Sequence, residues 1–402
     1  MAHAEPVLIA GGGIAGLATA LALAQRGIRS HVLEQRERFS EAGAGIQIGP
    51  NGVRVLSELG VAPHLAAHAG QPEEITVRQG ASGRILARMP LGAWIEERHG
   101  APYWVVHRRD LQAALLTRVH ATPEITVRTG FAILDVADHS DHVRARTADG
   151  TTVVGPVLVG ADGVRSRVRA ELAANLKLRF SGKAASRTLL SPDAAAPLGK
   201  PSAVGVWLAP GAHVVHYPVQ GGAQIAVVAI VPDDRMTDDW AAPNDWAALA
   251  PHLAGFAPLL REVLATATEW RRWALVVADP LARLAKGRIA LAGDAAHPVL
   301  PFLAQGGVMA LEDAVVLADA LATRPQDPAG ALRAYATARQ PRVNAIVATS
   351  RQNGRIFHLA GPAALARNLA LATVPSARLM ARYDWVYGWR PPVQTGGLIN
   401  GD

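Results

Sequence analysis

Residues 7–34 read VLIAGGGIAGLATALALAQRGIRSHVLE, and this stretch decides the fold. Val7 to Ala10 is a short, fully apolar run that suits a strand buried on both faces. Gly11-Gly12-Gly13-Ile14-Ala15-Gly16 then matches G-x-G-x-x-G, and Ile14 to Arg26 has the composition of a helix closed by Gly27. In such a turn Gly11 allows the tight bend, Gly13 lets backbone approach a pyrophosphate, and Gly16 lets the helix pack on the strand. The helix N-terminus adds amide donors and a dipole that favours phosphate. His31 to Glu34 reads as a second strand ending in an acid, 18 residues beyond Gly16. An acid there accepts from ribose hydroxyls and disfavours a 2′-phosphorylated ribose. Strand, glycine turn, helix, strand and acid together predict an α/β Rossmann-like unit for a dinucleotide, FAD or NAD.

The same residues could be mistaken for a membrane segment, because Val7 to Ala24 is an uncharged run of 18. Three consecutive glycines penalise a spanning helix, and Glu5, rather than a basic cluster, precedes the run. No other stretch is long and apolar enough to span a bilayer. The chain has 402 residues, 50% of them hydrophobic and 18% charged, enough for a large core with an insertion. It has no cysteine, so disulfides, thiolate metal sites and thiol chemistry are excluded, and no metal site is expected. That composition fits a reducing compartment, and the cytoplasm is the expected location. The net charge is +7, yet only four of the 40 basic residues are lysine, and they form no run of the kind that binds nucleic acid. Scattered arginine suits small anions instead.

Beyond the first unit, Glu41 to Asn51 (EAGAGIQIGPN) is glycine-rich and reads as a loop near the cofactor. Tyr103 to Leu116 reads as a strand entering a helix, with Arg108 at the junction. Ile125–Arg128 and His142–Thr147 read as strands of a small meander. Val204–Leu208, His213–Tyr217 and Ile225–Val231 read as strands of a separate sheet, and the chain from Leu311 onward as alanine-rich helix interrupted by Pro341. The expected division is residues 1–179 and 276–330 for the nucleotide domain, 180–275 for an inserted β-sheet substrate domain, and 331–402 for C-terminal helices. No second G-x-G-x-x-G marks a nicotinamide domain.

Two later motifs complete a pattern. Val159-Gly160-Ala161-Asp162-Gly163-Val164-Arg165-Ser166-Arg167 follows a strand-like run, and Ile289 to Pro298 (IALAGDAAHP) joins a strand to a turn before Gly306-Gly307. A glycine motif, a mid-chain Asp-Gly and a later Gly-Asp in this order resemble the single-component, FAD-dependent aromatic hydroxylases over the whole chain. The resemblance implies a para-hydroxybenzoate-hydroxylase-like fold, α/β in the nucleotide domain and α+β overall. It implies FAD as cofactor, NADH (or NADPH) and O2 as co-substrates, a small aromatic acid as substrate, and a homodimer. FAD contacts would come from Gly11, Gly13, Ile14, Ala15, Gly16, Glu34, Gln35, Arg36, Arg108, Asp162, Gly163, Asp294, Pro298, Gly306 and Gly307. Asp294 would hold the ribityl hydroxyls, Asp162 would sit near the pyrophosphate, Pro298 would lie beside the isoalloxazine, and Gly306-Gly307 would face its N1–C2=O edge.

Within that class, residues 100–108 (GAPYWVVHR), 211–218 (GAHVVHYP) and 384–389 (DWVYGW) resemble 3-hydroxybenzoate 6-hydroxylase and its salicylate hydroxylase relatives. The implied reaction is hydroxylation of a phenolic or heteroaromatic carboxylic acid by a flavin C4a-hydroperoxide. A phenolate attacks an electrophilic oxygen far better than a phenol, so a base near the hydroxyl is needed. His213 is the candidate, since histidine titrates near neutrality; the alternative is a sheet-face histidine with a structural partner. Tyr217 shares the face of His213 by period two and either bonds substrate or belongs to the core, while His216 turns to the opposite face. Catalysis is therefore assigned to His213, Tyr217 and Pro298. The chain departs from the pattern at Lys183, Ser186, Pro301 and Phe302, and Lys183 is read as solvated surface, the alternative being a partner for a substrate carboxylate. A secondary-metabolite hydroxylase, a halogenase, a reductase or a non-catalytic flavin-binding protein on the same scaffold are the alternatives.

Overall fold

The computed structural model describes residues 5–391 except 40–44, 174, 175, 177, 238, 240, 280 and 282. Its centre is a six-stranded sheet in the order β18 (Ala285–Lys286), β19 (Ile289–Leu291), β11 (Leu158–Gly160), β1 (Val7–Ala10), β2 (Ser30–Leu33) and β7 (Ile125–Arg128). All neighbours are parallel except β18 and β19. Such strands are covered on both faces, which is why they read as unbroken apolar runs. Helix α1 (Ile14–Ala24) is buried from Ile14 to Leu23 between this sheet and α4 (Gly306–Thr323). Burial inside an α/β core thus accounts for the apolar run at residues 7–24. Among the described residues no helix is long and apolar enough to cross a membrane. The helix ends two residues before Arg26, and Gly27 at φ +69° takes the left-handed turn.

Strand order reverses at β1. The chain lays β2 and β7 on one side, then returns to lay β11 and β19 on the other. The crevice beyond the carboxyl ends of β1 and β11 is therefore a topological switch point, where open α/β sheets bind ligands. Ile125–Arg128 belongs to this sheet as its edge strand and not to the expected meander, since it pairs in parallel with Ser30–Leu33. The meander comprises β8 (Ile133–Asp138), β9 (Val143–Thr147) and β10 (Thr152–Gly155).

The second large sheet has eight strands in the order β16 (Ala242–Asn244), β17 (Trp270–Val277), β12 (Arg179–Leu190), β15 (Gln224–Pro232), β14 (Ala212–Val219), β13 (Ala203–Ala209), β4 (Glu74–Gln79) and β5 (Ile85–Pro90). It is antiparallel except at β13 and β4. Residues 180–275 therefore do not supply this sheet alone, because the hairpin at 74–90 adds its last two strands. One face packs on Leu249, Leu253, Phe256, Leu260 and Leu264. Its other face turns toward the nucleotide unit.

The glycine-rich stretch is more ordered than its composition suggests. Gly45–Ile48 forms β3, paired with β6 (Trp104–His107), and Pro50 opens α2 (Pro50–Glu58); the rest of Glu41–Asn51, 41–44, lies outside the described residues. Strand β6 runs directly into α3 (Arg108–His120). Pro341 does not interrupt the C-terminal helices: α5 runs unbroken from Pro328 to Phe357 with Pro341 inside it, and α6 follows (Gly361–Thr373). The Pro341 ring lies on the exposed face, where water can serve the carbonyl that loses its amide partner.

Gly16 carries the tightest contact in the first unit. A Cβ there would stand 1.9 Å from the Gly11 carbonyl oxygen, which is backbone and cannot swing aside. Gly16→Ala should cost about 3 kcal/mol or more, read as a fall in the urea midpoint. Gly13→Ala, with no atom within 4 Å of the added carbon, should stay within about 1 kcal/mol of the parent.

Candidate functional site

Three loops leave the carboxyl ends of three adjacent parallel strands. The first is Gly11–Gly13 after β1, the second Ala161–Gly163 after β11, the third Ala292–Asp294 after β19. Backbone bonds hold them in step: Ala161 N donates to Ala10 O at 2.8 Å, and Ala292 N donates to Gly160 O at 2.9 Å. Three motifs some 130 residues or more apart in sequence thus stand side by side.

They open onto a cavity of about 320 Å³. From the nucleotide side it is lined by Gly13, Ile14, Ala15, Arg108, Gly163, Asp294, Pro298, Gly306 and Gly307. From the large sheet it is lined by His213, Val215, Tyr217, Val228, Ile230 and Trp273. The ladder explains the second group: Ala185, Ile230 and His213 lie in one cross-strand row, and Arg187, Val228 and Val215 in the next. Period two then brings His213, Val215 and Tyr217 to one face. His216 turns to the other face, beside Thr76 and Arg78.

The remaining expected cofactor residues sit behind this lining. Gly11 takes φ +103°, and a Cβ there would meet the Ala161 oxygen at 2.5 Å, so it fits the bend. Glu34 turns back on its own loop, accepting from Gly12 N at 2.8 Å and Arg36 N at 2.9 Å. Gln35 and Arg36 are exposed. Asp162 Oδ2 accepts from Arg167 N at 2.7 Å and Val168 N at 3.2 Å, whereas Oδ1 is buried with no hydrogen-bond partner. Burial raises the Asp162 carboxyl above its usual range.

Several residues fit a bound FAD. Gly13 and Gly163 line the cavity with nothing within 4 Å of the Cβ each lacks, which leaves room for phosphates to approach backbone. The N-termini of α1 and α4 both open onto the same space. The unpartnered Asp162 oxygen is an acceptor in want of a donor.

Sequence reasoning missed what holds these loops. Arg169 is buried and donates to the Asp294 and Ala295 carbonyls at 3.3 and 3.0 Å and to the Val164 carbonyl, tying the second loop to the third. Asp313, 0% exposed on α4, accepts on Oδ2 from Gly293 N at 2.9 Å and His297 Nε2 at 2.5 Å, clamping both ends of the loop that carries Asp294. Its Oδ1 accepts from Arg339 Nε at 2.7 Å. Arg339 and Arg342 converge on the neighbouring Glu312, which also accepts from Asn51. Burial pushes the Asp313 carboxyl up, but the charges of His297 and Arg339 prevail and hold it at about 2. Two adjacent acids, Glu312 and Asp313, in the apolar first half of a helix were the available signal.

Helix α5 fixes the next segment too. Ser350 Oγ donates to Leu300 O at 2.6 Å, and Asn353 Nδ2 donates to Phe302 O at 3.1 Å. Tyr217 lines the cavity, and its hydroxyl donates to Gly45 O at 2.9 Å, which fixes the ring in the wall. Burial raises its pKa. Lys183 is not solvated surface: it is half-buried and donates to Gly211 O at 2.8 Å. Ser186 is buried and accepts from Asn244 Nδ2 at 2.9 Å. His213, 2% exposed, has its Nδ1 2.8 Å from His358 Nε2. Burial, then His358 and Lys183, hold its pKa well below the ordinary histidine value.

Residues 4–350 match the family model described as FAD binding domain. The chain is 38% identical over 384 residues to 3-amino-4-hydroxybenzoate 2-monooxygenase of Streptomyces platensis, covering 95% of this chain and 96% of that one. It is 34% identical over 385 residues to 3-hydroxybenzoate 6-hydroxylase of Polaromonas naphthalenivorans, covering 96% of each. Among solved structures, a single-substitution variant of Klebsiella pneumoniae HpxO complexed with FAD superposes with a TM-score of 0.85 at 27% identity, over 95% of this chain and 98% of that one.

The clamp yields a prediction. Asp313→Asn removes one of the two buried carboxylates that pair with Arg339, leaving Glu312, and should cost about 3 kcal/mol. A carboxyl held at about 2 in the fold and near about 3.9 unfolded stabilises fully above pH 5 and loses that contribution as pH falls toward 2. Thermal unfolding from pH 7 to pH 3 should therefore show the gap between parent and D313N narrowing as pH falls.

Proposed function

Because this chain belongs to the FAD binding domain family, we propose that it is an FAD-dependent monooxygenase that hydroxylates a phenolic or heteroaromatic carboxylic acid. One observation carries the reading: a single cavity is lined on one side by the three strand-end loops and on the other by His213 and Tyr217. In this reading FAD lies against Gly13, Ile14, Ala15, Gly163, Asp294, Pro298 and the α4 N-terminus, with Arg108 at the side and Gly11, Gly16, Glu34 and Asp162 shaping the loops. Gln35 and Arg36, exposed beyond β2, would meet only its outer end. When bound, FAD supplies the redox chemistry, taking reducing equivalents from NADH and activating O2. The nicotinamide preference and a homodimer follow from the family resemblance, and a cytoplasmic location from the cysteine-free composition.

The chain's own residues do the rest. Amide donors at Gly306 and Gly307 favour negative charge at the helix end beside the cavity. Val215, Val228, Ile230 and Trp273 form an apolar wall suited to an aromatic ring and to the exclusion of water. His213 takes the phenol proton, and Tyr217, fixed by Gly45, shapes the floor. An approaching carboxylate or phenolate raises the His213 pKa, which makes the imidazole a stronger base when substrate is present. Pro301 in the cavity wall and Phe302 packed against His213 offer no side-chain hydrogen bond there.

The test is a panel of hydroxybenzoates, amino-hydroxybenzoates and hydroxynicotinates with NADH, followed by oxygen uptake and product identification. One acid should accelerate NADH oxidation and yield a hydroxylated product. Peroxide alone with every acid would defeat the reading. His213→Ala should retain FAD and lower kcat by about 10²-fold or more.

A further inference from the structure

His213 and His358 meet at 2.8 Å through Nδ1 and Nε2, a separation that requires one shared proton. His213 lines the cavity and is closed off from water, its ring packed against Phe302 and Phe357 with centroids 5.5 and 5.3 Å away. His358 lies behind it, partly exposed, as the residue that ends α5. Its backbone is pinned as well: Gly211 N, at the β13–β14 turn, donates to His358 O at 3.2 Å, and the Gly211 carbonyl accepts from Lys183. Among the described residues no hydrogen bond is made to His213 Nε2, the nitrogen left for an occupant of the cavity.

Resting on the substrate reading above, we infer that His358 is the outlet of a two-histidine relay that carries the phenol proton from His213 to solvent. The phenol O–H bond breaks as a proton joins His213 Nε2. His213 then passes its Nδ1 proton to His358 Nε2, and His358 releases its own Nδ1 proton to water. No electrons move, and the reverse sequence restores both tautomers. The charged groups facing the pair are Lys183 on β12 and Arg367 on α6. Burial comes first at both rings, followed by His358 and Lys183 at His213 and by Lys183 and Arg367 at His358, which lies at about 4; both directions favour the neutral forms. A neutral pair is what the first transfer needs. Arg367 donates to the Ile356 and Phe357 carbonyls at 2.9 and 2.8 Å, capping the helix end so that the His358 ring is free to serve His213. His358 touches no cavity residue other than through His213 in this scheme, so its role is one of proton transfer and positioning.

The experiment follows proton release when FAD-loaded enzyme is mixed with 3-hydroxybenzoate in weakly buffered solution containing a pH indicator, without NADH. Wild type should release a proton on binding. His358→Gln should keep its FAD content and its Kd, release the proton about tenfold more slowly or worse, and recover with added imidazole. Release at the wild-type rate in H358Q, or no release by wild type despite binding, overturns the relay. Nitrogen-15 signals of the two imidazoles in ligand-free holoenzyme provide an arm that does not depend on substrate. They should titrate as one coupled pair, and two independent ordinary titrations would also overturn it. Hydroxylation of no acid by wild type, with a coupled pair intact, defeats the substrate reading instead.

Discussion

Asp313 is the point on which the cofactor side of this molecule depends. One fully buried carboxylate accepts from a backbone amide, an imidazole and a guanidinium, and the first two lie at opposite ends of the loop that carries Asp294. A charge in such a place would be expelled if it lacked partners. Here His297 and Arg339 supply them, and Arg339 is itself neutralised by Glu312, the residue just before Asp313 on α4. The network joins α4, α5 and the third strand-end loop into one rigid body. Positions of Asp294 and Pro298 are then consequences of burial, not of loop preference.

The large sheet works by a different constraint. Its residues face the cavity because strand period and register leave them no choice: a shift of one residue in β14 would send His213 to the face that His216 occupies. The two sides of the site are therefore specified independently, one by ion pairing beneath a loop and the other by ladder register. Substrate-side side chains can vary without loosening the loops that face them.

Much of this was legible in the chain. Residues 7–34 disclose strand, turn, helix and strand because each carries a strong local rule, and the two later motifs fell at the ends of neighbouring strands. Legibility failed where a residue's role comes from distant partners. Ile125–Arg128 alternates like a meander strand, and nothing local says that it pairs in parallel with Ser30–Leu33. Glu74–Pro90 joins a sheet whose other strands begin at Arg179. Lys183 looks like surface until the Gly211 turn is folded against it. His358 follows a long helix with no motif around it, and only folding brings it to His213. Pro341 reads as a break, yet an exposed position lets the helix absorb it.

Helix α5 draws these threads together mechanically. Its 30 residues span about 45 Å. Arg339 near the middle holds Asp313, which clamps the loop carrying Asp294; Ser350 and Asn353 fix the segment after it; and His358 at the helix end reaches His213 on the opposite wall. The helix is a ruler laid between two halves of the site. Its graduations are angular as well as linear, about 100° per residue. Adding or deleting one residue between Arg339 and Ser350 would put these attachments out of phase, whereas exchanging exposed side chains would leave the measure unchanged. Drift in the lineage of this protein should thus be free in the letters on that outer face and frozen in its length.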